Sequence, residues 1–186
     1  MALTRLLVKI RPFIRQMSQT AFISGHVYLP SSNYFTAYYE KPISVAILAG
    51  HHFIMGPSPG IDAMSLRYLI DQGVCPSRIT IYLAEFERHT LASRIQWFVD
   101  LGGNVKVEGS TFTKRDEVMT RDSDYDILRY MPIEEQRQLY GGKYRPRVSG
   151  TEKNDRRRKG LPLHVNHDHF REQRFPLLSP ARTRSP

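Results

Sequence analysis

Three short stretches of this 186-residue chain carry residue types suited to gripping a phosphate or a sugar. They are Ser24-Gly25-His26, Gly56-Pro57-Ser58-Pro59-Gly60-Ile61-Asp62 and Ser149-Gly150-Thr151-Glu152. Glycine lets backbone N–H groups approach an anion with no Cβ between, and a helix starting just after it adds its own unpaired N–H groups. His26 can donate to a phosphate or simply occupy a turn. Asp62 can accept ribose hydroxyls or complement the positive end of a helix. Thr151 can bond a phosphate, cap a helix, or do both. The candidate ligand-binding residues are therefore Ser24, Gly25, His26, Gly56, Ser58, Gly60, Asp62, Ser149, Gly150 and Thr151. The second loop is neither G-x-G-x-x-G nor a Walker A loop, since no Gly-Lys-Ser/Thr follows. Glycine and proline also make ligand-free turns, so that loop alone decides nothing.

The elements that must position these loops alternate. Thr20–Ser24 is a short apolar run closed by Gly25, a buried first strand. An aromatic segment, Tyr34–Tyr39, precedes a helix with Pro42 in its first turn and Gly50 at its end. His52–Met55 is the second strand, and Ile61, Met64, Tyr68 and Leu69 repeat at helical spacing up to Gly73. Arg78–Leu83, rich in β-branched residues, is the third strand. A helix over 90–101 follows, with Trp97 expected to pack, and Asn104–Val107 is the fourth strand. Thr113 is placed to cap a helix running to about Ser123, with Asp116 and Glu117 in its first turn. Tyr125–Met131 reads as a last strand, 133–148 as a polar excursion, and 150–159 as a very basic final helix. Strands alternating with helices of this length predict an α/β fold, Rossmann-like and three-layered (α/β/α), with a mostly parallel sheet. In such a sheet the ligand crevice lies at the carboxyl ends of the strands.

The formal charge of +9 is unevenly spread. Residues 1–20 hold four basic groups and no acid, 21–152 hold fourteen basic and fifteen acidic groups, and 153–186 hold nine basic and three acidic groups. The tails make the chain basic, whereas a nucleic-acid footprint lies on one face of a folded domain. Nucleic acid is accordingly an unfavoured partner. The expected organisation is a flexible basic leader over 1–19, a Rossmann-like domain over 20–159 and a disordered basic tail over 160–186. The leader is arginine-bearing, acid-free and loosely amphipathic, as a mitochondrial presequence is, so location reads as cytoplasmic or, alternatively, the mitochondrial matrix. No apolar run reaches the roughly 20 residues that span a bilayer, so no membrane partner is expected. The lone Cys75 excludes an internal disulfide framework. His164, His167 and His169 have metal-ligand chemistry, but a tail without fixed geometry defines no metal site. Arg156-Arg157-Arg158-Lys159 reads as a solvated helix end, and Asp124 and Asp126 as solvated strand-entry residues.

A resemblance runs through the same residues. Phe22-Ile23-Ser24-Gly25-His26, then Phe35, Tyr38, Tyr39, Ala46 and Gly50, then Phe53-Ile54-Met55-Gly56 and Gly60-Ile61-Asp62 resemble the SLOG superfamily. These are Rossmann-like proteins related to the DprA and cytokinin-activating LOG families. Specifically, they look like a branch with the pattern F-I-S-G-H … G-x-x-x-G-x-D. The similarity continues through Arg78–Tyr82, Arg115-Asp116, Met119-Thr120, Ser123–Ile127 and Ser149–Asn154, covering about residues 20–158. It implies a domain that binds a nucleotide or nucleoside phosphate. Some relatives cleave the N-glycosidic bond of a nucleoside monophosphate with a glutamate in P-G-G-x-G-T-x-x-E. Gly150-Thr151 matches the Gly-Thr of that motif, but Asn154 stands at the glutamate position and the Pro-Gly-Gly is absent. An amide is no general base.

The leading expectation is thus a ligand-binding or sensing domain for a small nucleotide or sugar phosphate. No cofactor is required, and homo-oligomer formation is left open. The alternative is a hydrolase of a nucleotide or nucleoside N-glycosidic bond, with Asp62, Glu152 or Asp155 as carboxylate candidates. A basic-tailed nucleic-acid-associated protein ranks third.

Overall fold

A computed structural model describes residues 18–164; the expectations for the presequence and for most of the basic tail, with His167 and His169, lie outside them. Five strands form one sheet: β1 (Thr20–Ser24), β2 (His52–Met55), β3 (Ile79–Leu83), β4 (Asn104–Val107) and β5 (Tyr125–Leu128). Their order is β4-β3-β2-β1-β5 and every neighbouring pair is parallel. Among the described residues there are six α-helices: α1 (Lys41–Leu48), α2 (Ile61–Asp71), α3 (Glu87–Asp100), α4 (Phe112–Arg121), α5 (Ile133–Tyr140) and α6 (Gly150–Arg158).

Alternate strand residues face two different helical layers, as the pleat requires. Ala21, Ile23, Phe53, Met55, Ile79 and Ile81 pack against Ile43 of α1, Ile61 and Leu69 of α2 and Phe98 of α3. Phe22, Ile54 and Tyr82 face the other way and meet Met119 of α4. The chain is a Rossmann-like three-layer α/β/α domain. No helix among the described residues is long and apolar enough to cross a membrane.

Several boundaries differ from the sequence reading, each for a local reason. The polar excursion at 133–148 contains α5 and a short 3-10 turn, Gly141–Lys143. Glu134 and Glu135 complement the positive start of α5, and Gln136 donates from its side chain to Met131 O at 2.8 Å. α3 begins at Glu87 rather than Thr90, because the Glu87 carboxylate reaches back to accept from Ala84 N at 2.8 Å. Thr111, not Thr113, caps α4, accepting from Lys114 N at 3.2 Å. A π-helical turn, Thr36–Glu40, runs into α1 through the aromatic segment. Trp97 packs edge-on against Phe98 while staying 46% exposed on α3.

The basic end of α6 is not a solvated face either. Arg158 pairs with Asp126 at 2.7 Å and donates to Ser123 O at 2.8 Å, fastening α6 to β5. Asp124 is also engaged, its Oδ2 accepting from Thr20 N at 2.7 Å.

Candidate functional site

β1 has β2 on one side and β5 on the other. The chain leaves β1 toward β2 but reaches β5 only after β4, so the direction of winding reverses between β1 and β5. That reversal is where an open α/β sheet forms its crevice. The three loops singled out in the sequence meet around this edge.

The first two loops are locked together. Ile61 N donates to His26 O at 3.1 Å. A Cβ on Gly25 would overlap the Ile61 side chain, and one on Gly60 (φ +81°) would overlap the backbone oxygens of His26 and Val27. A Cβ on Gly56 would lie 2.9 Å from Asp62 Oδ2 and 3.3 Å from Arg115 Nη2. These three glycines are therefore required by close approach of protein to protein. Two prolines also remove N–H groups from the second loop, and hydrogen bonding from the Ser58 backbone goes to Asp62.

His26 does not present its Nε2 to an anion. That nitrogen accepts from Met131 N at 2.9 Å. Burial, with the nearby Arg129 charge, lowers the His26 pKa to about 4. The ring is neutral at physiological pH and carries its proton on Nδ1.

The third loop reaches the same edge through the inner face of α6. Asn154 is buried; its Nδ2 donates to Ser24 Oγ at 2.9 Å and its Oδ1 accepts from Arg157 at 2.7 Å. Asn154 thus joins α6 to the end of β1. Ser149 caps α6 by accepting from Glu152 N at 3.1 Å, and Thr151 is buried just inside. Gly150 differs from the other site glycines: a Cβ there would meet open space. The first turn of α6 is uncrowded at that point.

Below the second loop lies a buried charged cluster that sequence reasoning missed. Arg115 Nη1 donates to Glu87 Oε2 at 2.8 Å, and its Nη2 donates to Asp116 Oδ1 at 2.9 Å. Arg115 and Glu87 are 5% and 7% exposed. Asp62, 8% exposed, is a third carboxylate beside this guanidinium. Burial is the main cause that pushes Asp62 up to about 7; Arg115 opposes the rise, and the charges of Asp116 and Glu87 reinforce it. Burial likewise raises Asp116 against the pull of Arg115. The acid in the first turn of α3 was the available signal for Glu87, but a helix start placed at Thr90 left it outside.

Asp62, Gly56 and Ser58 line a cavity of about 860 Å³ beside α2 and α3, with Leu66, Ile70 and Phe98 among its apolar walls and Trp97 also lining it. Its size suits a nucleotide-sized ligand. The other two hydrolytic candidates are occupied elsewhere: Glu152 pairs with Arg156 at 2.8 Å and Asp155 with Lys159 at 2.8 Å.

The raised Asp62 makes stability depend on pH in a definite direction. The unfolded chain releases this proton near pH 4 and the folded chain near 7, so across that interval the folded state holds the extra proton. Stability falls as pH rises through the window. Asp62→Asn, which removes the ionisable group, is expected to raise the melting temperature at pH 8 and to lose that advantage at pH 4. Melting curves at the two values check it; an advantage equal at both would contradict the assignment.

Searches of protein-family models, of curated proteins and of solved structures find no match to this chain.

Proposed function

We propose that this domain binds a nucleotide or nucleoside phosphate at the carboxyl edge of its sheet, as a ligand-binding or sensing unit. The observation that carries the reading is the convergence of the three loops at the carboxyl end of β1, the second of them also lining a cavity, with Gly150 alone among the site glycines facing open space. The N–H groups of Gly150 and Thr151 at the start of the nine-residue α6 are suited to a phosphate. Arg147, whose positive charge is felt at His26, supplies a cation on the same side. The resemblance of Gly150-Thr151 to the SLOG phosphate motif agrees with this placement.

One observation favours a second reading, hydrolysis of an N-glycosidic bond. A carboxyl group that titrates about 7 beside a cavity has the acidity of a general acid. Asn154 counts against the hydrolytic mechanism of the LOG relatives, since its amide is spent on Ser24 and Arg157.

Thermal melts of the full chain with nucleoside mono-, di- and triphosphates and with ribose 5-phosphate test the proposal. A ligand at a hundred times its dissociation constant stabilises the native state by about 2.7 kcal/mol, a clear shift in melting temperature. Gly150→Val is expected to leave the ligand-free melt nearly unchanged and to abolish the shift. A flat response to every phosphate ligand overturns the reading. Free base released from a nucleoside monophosphate, and lost in Asp62→Asn, establishes the second reading instead.

A further inference from the structure

Asp62 stands apart from the other acids gathered near this edge. Glu87 and Asp116 hold Arg115 between them, while Glu152 and Asp155 are paired along α6. Asp62 is 8% exposed and makes no ion pair and no side-chain to side-chain hydrogen bond among the described residues. It nevertheless forms part of the wall of the 860 Å³ cavity. Asp62 and Glu87, both buried, and the partly buried Asp116 cannot all stay ionised cheaply around Arg115, because burial penalises each unpaired charge. The proton of the cluster belongs on the carboxyl that lacks an ion pair, and that residue lines the cavity.

The groups whose charges reach Asp62 are Arg115 and Asp116 from α4 and Glu87 from α3. Tyr39, from the π-helical turn, senses its charge in return and is held protonated by burial. None of these supplies a second cation. The buried and half-buried part of the cavity wall is largely apolar, with Leu66 and Ile70 on α2 and Ile95 and Phe98 on α3; Arg67, Asp71 and Arg94 also line it but are exposed, and Arg67 is paired with Asp71 at 3.2 Å. A slot with apolar inner walls and Asp62 among them suits a flat heterocycle, while the arginines of the cavity stand only at its exposed positions.

We infer that Asp62 meets the ligand as a neutral carboxyl group, donating a hydrogen bond to an unprotonated ring nitrogen or carbonyl oxygen of a heterocyclic base seated in the cavity beside α2 and α3. This rests on the nucleotide reading above and adds where the base goes and which atom of it is read. It also replaces the expectation that Asp62 accepts from ribose hydroxyls. A hydroxyl would be served by the ionised form, whereas a bare acceptor requires the proton.

Binding then takes up a proton, and affinity falls as pH rises past neutrality. Isothermal titration of the full chain with the four common nucleoside 5′-monophosphates and with ribose 5-phosphate tests this between pH 7 and pH 9, where the ligand phosphates keep nearly constant charge. At least one nucleotide is expected to lose about tenfold or more in affinity over that range, in step with the competent fraction. Ribose 5-phosphate, lacking a base, is expected to bind more weakly and without this loss. Asp62→Asn keeps an N–H donor at every pH, so it is expected to bind that nucleotide with the slope removed; Asp62→Ala is expected to bind it weakly throughout. Nucleotides and ribose 5-phosphate binding equally, or affinity that is constant or rises with pH, overturns the inference and leaves the nucleotide reading standing. No binding by any of the five ligands overturns both. Because the slope is measured on the unaltered chain, the test survives a variant that fails to fold.

Discussion

Arg115→Met is expected to weaken the domain by about 3–5 kcal/mol at pH 7.5, the cost of stranding buried partners of a broken ion pair. The guanidinium is the cation shared by Glu87 and Asp116 at 2.8 and 2.9 Å, and Asp62 lies close by. Methionine fills much of the space but neutralises nothing. The loss should shrink at pH 5, where the stranded carboxylates can take up protons. Urea unfolding at the two pH values measures both effects. An equal loss at both would mean that packing around the arginine stem outweighs its charge. Arg121→Met offers the contrast: its ion pair with Asp122 is largely solvated and is expected to be worth less than about 1 kcal/mol.

Gly60→Ala is the second large effect, expected to cost about 3 kcal/mol or more from two additive sources. Its φ of +81° is strained for any residue with a Cβ, which accounts for roughly 1–2 kcal/mol. The new methyl also meets the His26 and Val27 backbone, and overpacking of that kind costs about 1–3 kcal/mol. Gly50 isolates the first source. Its φ is +77° but nothing lies within 4 Å of its absent Cβ, so Gly50→Ala is expected to show the conformational cost alone. If the two variants unfold at the same denaturant concentration, the close approach of the first two loops is wrong.

The sheet was legible because its strands announce themselves locally. Ile79-Thr80-Ile81-Tyr82-Leu83 is β-branched and aromatic, and the short runs at 20–24 and 52–55 end at glycines or polar turns. α5 was not legible for the opposite reason. Its sequence, Ile-Glu-Glu-Gln-Arg-Gln-Leu-Tyr, puts five polar residues between its first apolar residue and the next. It is held by groups outside itself, Arg129 to Glu135 at 2.5 Å and Gln136 to Met131 O at 2.8 Å. The same division holds at the candidate site. Asp62 could be singled out because it follows a glycine-proline turn at a helix start. Arg115 and Glu87 could not, since 28 residues separate them and only the fold makes them partners. Asn154, conspicuous in the sequence for not being a glutamate, acquires a role only once Ser24 is seen beside it, 130 residues away.

The position of β1 bears on the order in which the domain can assemble. β1 through β4 pair with neighbours in sequence, while β5 must return to β1, and Thr20 meets Asp124 across 104 residues. Contacts of such separation form late, because the chain entropy of a long closure must be overcome before they contribute. α6, which docks on β5 and α4, comes later still. During synthesis a four-stranded half-domain would emerge first, with the β1 edge uncovered and the Asn154 link to Ser24 unmade. Completing the crevice is then the last of these events, so any molecule that bound there would act as a check on finished molecules and pass over partial ones.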